Sequence, residues 1–190
     1  MNKIIWPLLL CAVLCGCGGG ETGNAVQEQY RTLETARLEA EVTSHTSTDS
    51  RTFTLLCSYD ADGDAVTTVT DPGELAGLTA VVSGTDMTLS SEGLQLPAGA
   101  SLDICPANCL PYLLRALADG YVLEQSSEAL DNTPCLRLAL DTTAPGGGKV
   151  LCAVWLDAEG LFPRYAEFSR NEQVVLTVKL LAFTCTTSEG

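Results

Sequence analysis

Polar and apolar residues alternate along most of the chain. Ala36, Leu38, Ala40 and Val42 fall on one side of a period-two pattern, with Arg37, Glu39, Glu41 and Thr43 on the other, as a half-exposed strand demands. Phe53, Leu55, Cys57 and Tyr59 repeat it, and further β-rich runs lie at 65–70, 79–83, 87–96, 121–126, 135–141, 150–157, 164–170 and 173–186. Turn clusters such as Asp71-Pro72-Gly73 and Asn171-Glu172 separate them. Twice the period becomes helical. Val26, Tyr30 and Leu33 predict a short amphipathic helix over 25–35. Leu110, Leu113, Leu114 and Leu117 predict a second over 108–119, with Asn108 as its cap, Gly120 as its stop and Pro111 tolerated in its opening turn. Short consecutive strands imply an antiparallel meander. Two helices set among eight or nine strands fit a symmetric sandwich poorly, so the expected fold class is α+β. It is a single curved antiparallel sheet, an incomplete barrel, with the helices packed on its concave side.

The first residues break this pattern. A positive start, Met1-Asn2-Lys3, precedes the apolar run Ile4 to Leu14, well short of the roughly 20 residues that span a membrane. Leu14-Cys15-Gly16-Cys17 resembles the lipobox of bacterial lipoproteins. The resemblance implies a signal peptide at 1–16, cleavage before Cys17 and lipid attachment to the Cys17 thiol. Several acyl chains on one residue anchor firmly where a single chain does not. Residues 17–24 then read as a lipidated cysteine with a Gly-rich tether, and 25–187 as one domain on the extracytoplasmic face of the cell membrane.

Charge and cysteine content narrow the partners. Ten Lys and Arg against 24 Asp and Glu give a net charge of −14, which repels phosphate backbones and argues against nucleic acid. Six cysteines remain beyond Cys17, at 57, 105, 109, 135, 152 and 185, an even set compatible with disulfides in an exported protein or with buried thiols. Cys105 and Cys109 have no second close cysteine pair and no histidine nearby, so no zinc site is expected.

Asp60-Ala61-Asp62-Gly63-Asp64 opens like a calcium loop, but Ala65 and Asp71 stand where that loop needs glycine and glutamate, so a solvated hairpin turn is expected. His45 is the only histidine and sits beside a turn; no nucleophile-and-base pairing, phosphate loop or metalloprotease motif accompanies it. No enzyme activity and no cofactor are expected. The apolar residues Leu110, Leu113, Leu114, Leu117, Trp155, Phe168 and Phe183 fit the wall of a hydrophobic ligand cavity or a filled core equally well, since both need the same pattern.

The order helix, strand meander, Leu-rich helix, strands, then Val154-Trp155-Leu156-Asp157-Ala158-Glu159-Gly160-Leu161-Phe162-Pro163 and a long closing pair resembles the LolA/LppX family of lipoprotein carriers and related lipoproteins. The resemblance implies an incomplete β-barrel closed by helices around an apolar cavity for acyl chains. The expected function is a non-enzymatic, membrane-anchored lipoprotein binding a lipid or other hydrophobic ligand in that concave face. The alternative is an envelope, germination or signalling scaffold that binds a protein partner.

Overall fold

The structure, a computed structural model, describes residues 19–100, 103–144 and 146–188. The signal segment and Cys17 lie outside the described residues. Helix α1 (Gly19–Arg31) leads into six strands: β1 (Leu33–His45), β2 (Ser50–Asp60), β3 (Ala65–Asp71), β4 (Thr79–Ser83), β5 (Asp86–Ser91) and β6 (Leu94–Ala100). Helix α2 (Cys109–Asp119) follows, then β7 (Tyr121–Leu130), β8 (Thr133–Thr143), β9 (Lys149–Asp157), β10 (Pro163–Arg170) and β11 (Gln173–Thr187). All eleven strands form one antiparallel sheet in the order β6-β5-β4-β3-β2-β1-β11-β10-β9-β8-β7.

Each half of this order is a local meander, and β1 against β11 joins the halves. The sheet is not closed: β6 and β7 are its two edges. The chain passes from one edge to the other through α2, which must therefore cross a face of the sheet. Its contacts show that the sheet curls around it. Arg115 Nη1 donates to the Gly84 carbonyl in the β4–β5 turn at 3.1 Å, while the Tyr112 hydroxyl meets Thr142 Oγ1 of β8 at 3.1 Å. The α+β half-barrel with helices in its hollow is thus the observed architecture.

Several boundaries differ from the pattern-based reading, and the strands number eleven where eight or nine were expected. α1 spans Gly19–Arg31, so residues 19–24, read as tether, are helical, and Leu33 belongs to β1. Packing overrides glycine's poor helix propensity here: Gly23 is buried, and a Cβ on it would stand 3.1 Å from Gln125 Oε1 and 3.7 Å from the Val122 side chain. The run 87–96 is two strands, because Glu92 and Gly93 both take positive φ (50° and 83°) and turn the chain back. At the end of α2, Gly120 makes the corner: a Cβ there would collide with the Ala116 carbonyl oxygen, which the Gly120 N–H already engages at 2.8 Å.

Candidate functional site

The hollow of the half-barrel is the place where the sequence put a ligand. From α2, Leu110, Leu113, Leu114 and Leu117 point into it with at most 2% of their surface exposed. Alternate residues of the sheet meet them: Leu38 and Val42 from β1, Leu138 from β8, Val154 from β9, Phe168 from β10 and Val178 from β11, all without exposed surface. Val26 and Tyr30 of α1 close one flank, and the Tyr112 ring packs edge-on to Phe168 at 5.8 Å between centroids. These side chains form a single contiguous cluster. Open clefts of about 430 to 520 Å³ lie around the described residues, one of them against Tyr112 and Arg115 of α2 and the β4–β5 turn, and a gap of about 10 Å³ lies beside it. None of them is lined by those four leucines or by Phe168. The hollow is a filled core.

Trp155 does not join that set. Val154 and Leu156 point inward on β9, so strand alternation sends Trp155 to the outer face. There its indole N–H donates to Glu128 Oε2 at 2.8 Å, the Arg137 guanidinium lies 5.3 Å from its ring centroid, and the Tyr165 ring is 5.4 Å away. Arg137 also pairs with Glu124 at 3.1 Å and with Glu128 at 3.8 Å. The bond from Trp155 lowers the Glu128 pKa, helped by Ser126 and Arg137. Phe183 stays partly buried, its ring 5.3 Å from Phe162.

The Asp157–Pro163 turn has a role that its spacing alone did not reveal. Asp157 Oδ1 accepts from the N–H groups of Glu159 at 3.2 Å and Gly160 at 2.6 Å, and Oδ2 accepts from Phe162 N–H at 3.0 Å. A Cβ on Gly160 would stand 2.7 Å from the Phe162 ring, so a larger residue there would push that ring aside. The carbonyls so displayed hold the first helix: Tyr30 Oη donates to Leu161 O and Gln29 Nε2 to Gly160 O, both at 3.0 Å. Burial pushes the Tyr30 hydroxyl far above its ordinary pKa, so it stays a donor.

The other candidates have ordinary surroundings. His45 bonds Ser50 Oγ at 3.1 Å and Thr177 Oγ1 at 3.3 Å, at the end of the β1–β2 hairpin. Asp60 Oδ1 accepts from Asp62 N–H within the β2–β3 turn. Asn108, 2% exposed, organises the loop before α2: its Oδ1 accepts from Cys105 N–H and its Nδ2 donates to Asp103 O, both at 2.8 Å. Cys57, Cys105, Cys109, Cys135, Cys152 and Cys185 are all free thiols. Among the described residues no group of three or more His, Cys, Asp or Glu side chains converges as a metal site would, and no helix is long and apolar enough to cross a membrane.

A meander on either side of a central seam, with the crossing helix inside, defines a helix-filled half-barrel, the architecture that the resemblance to the LolA/LppX family implied. No family profile and no curated protein sequence matches the chain. Solved structures do. A DUF1329 family protein from Desulfovibrio piger is 12% identical, with a TM-score of 0.54 over 90% of this chain and 94% of that one. An uncharacterized conserved protein from Thermus thermophilus is 9% identical, with a TM-score of 0.52 over 89% and 88% of the two chains. A LolA superfamily protein from Nitrosomonas europaea, 13% identical over 88% and 94%, scores 0.45. At such identities the likeness is one of fold.

Proposed function

We propose that this chain is an exported, lipid-anchored, non-enzymatic protein of the cell envelope that holds a protein partner on the outside of a solid half-barrel. The filled hollow carries the reading: a carrier needs room for its cargo, and here four leucines of α2 occupy that room. The signal pattern and Cys17 supply the anchor. Binding then falls to the outer face of the strands, where Trp155, Tyr165 and Arg137 pack together as a cluster of the residue types enriched in protein interfaces.

One observation favours hydrophobic ligand binding as the second reading. α2 alone carries those leucines, so lifting it would open the hollow, with Leu110, Leu113, Leu114, Leu117 and Phe168 as its walls. Exposing four leucines costs about 6–12 kcal/mol, and an acyl chain seated in the hollow would re-cover the apolar wall that α2 leaves.

Two measurements test the proposal. Metabolic labelling with a fatty acid should mark the chain and fail on Cys17→Ala; label on that variant would overturn the anchor. Native mass spectrometry of the full Cys17→Ala chain should give the bare polypeptide mass, while cross-linking in whole cells should join the wild-type chain to one envelope protein. Stoichiometric acyl chains in the spectrum would transfer the function to the hollow.

A further inference from the structure

The sheet has two free edges, and they are built differently. β6 carries Pro97, which has no N–H to offer a neighbour, and its pairing with β5 slips between Met87 and Thr88. β7 has neither proline nor lysine in its ten residues. After a bulge near Val122, it pairs with β8 in unbroken register from Glu124 to Leu130, and no other described strand lies on its far side. Exposed apolar side chains stand at its start, Tyr121 at 73% and Leu123 at 54%. Beyond that bulge the edge keeps seven residues in regular register, a template for one more strand of complementary charge.

Charge says which strand. From Arg115 to Arg137 the sequence has no Lys or Arg between, yet it carries Asp119, Glu124, Glu128 and Asp131. Glu124 and Glu128 lie on the same outer face as Arg137, whose neighbour in register is Ser126. Two carboxylates share that one guanidinium and keep 62% and 42% of their surface exposed, so this edge retains net negative charge. A second copy is the wrong occupant: antiparallel pairing about Ser126 would set Glu124 against Glu128, in two chains each of charge −14.

We propose that β7 is a docking edge that adds an extended, basic segment of a partner protein as a twelfth strand against Glu124–Leu130. The partner's main chain would supply the hydrogen bonds, and its Lys or Arg side chains, alternating along the strand, would meet Glu124 and Glu128 on the outer face. Apolar residues beside them would cover Leu123. The inference rests on the protein-partner reading and names the surface and chemistry of that partner.

The test uses the full chain in detergent micelles and a ten-residue peptide alternating valine or threonine with lysine. Saturable binding is expected, weakened by salt, with amide exchange of Glu124–Leu130 slowed at least tenfold by the peptide. A version N-methylated at alternate residues keeps the charge but cannot pair, and should bind at least tenfold more weakly. Glu124→Lys, in which Arg137 keeps Glu128, should also lose at least tenfold. Equal binding of the N-methylated peptide, protection elsewhere in the sheet, or no binding would each overturn the proposal. So would self-association that protects β7 without peptide. Whole-cell cross-linking to a protein at another surface would reject this edge while leaving the partner reading standing.

Discussion

Replacing Leu113 by Ala separates a packed interior from a ligand chamber. Leu113 has no exposed surface and sits on the face of α2 that meets the sheet. The substitution removes about three methylene equivalents, worth about 2.4 kcal/mol at ~0.8 kcal/mol each. An unrelaxed hole of roughly 50 Å³ adds about 1.2 kcal/mol at ~24 cal/mol per Å³. The expected loss is therefore about 3.5 kcal/mol, or a fall in Tm of about 7–14 °C for a chain of this size. Urea titration of the wild type and the variant, with a shared slope, measures it. A leucine lining an open chamber touches few atoms on its inner side, and trimming it would cost less than about 1 kcal/mol. A loss that small would refute the filled-core argument and with it the main support for a protein partner.

The thiols give a pH-dependent prediction. Burial raises the Cys57 thiol from 9.0 to about 11, and lifts Cys109 and Cys152 as well, so the folded chain holds them neutral while the unfolded chain ionises them above about pH 9. Stability should be full below pH 9 and fall between pH 9 and 11, by about 1.4 kcal/mol per pH unit for each such thiol; a flat profile to pH 10.5 would contradict it. Native alkylation at pH 8 should reach the partly exposed Cys105 and Cys185 well before Cys57, Cys109 and Cys152, and the reverse order would show α2 to be open. Asp157→Ala removes the acceptor of three backbone N–H groups and should cost about 2–4 kcal/mol, with faster amide exchange in α1; unchanged exchange there would disconnect the turn from the helix.

The fold was more legible than the site. Period-two runs such as Ala36–Val42 show their faces because one side carries charge, and the Leu-rich stretch at 110–117 shows its helix by spacing alone. The start of α1 was hidden, since Gly19, Gly20 and Gly23 have no helix preference and only the space beside Val122 and Gln125 explains Gly23. The division of 87–96 depended on Glu92 taking positive φ, which a glutamate rarely does. Trp155 reads as part of the hollow because Val150-Leu151-Cys152-Ala153-Val154-Trp155-Leu156 is apolar on both faces, so alternation marks two sides without saying which is inner. The choice between chamber and core turned on volume, which no pattern of residue types encodes.

The seam between β1 and β11 also orders events in time. Those strands pair Leu38 with Phe183 and Val42 with Val178, so the middle of the sheet waits for the last fifteen residues of the sheet to be made. A chain emerging N terminus first displays the alternating face of β1 with one side unsatisfied until Gln173–Thr187 follows, and such long-range closure is slow. Nascent chains halted at Asn171 should be cut rapidly by a protease that leaves the finished chain intact; resistance at that length would mean that β1–β6 and β7–β10 hold together without β11. Until the final strand is inserted, the protein is two unfinished sheets with an open gap between them, and anything that binds the chain during that interval meets the apolar side of β1.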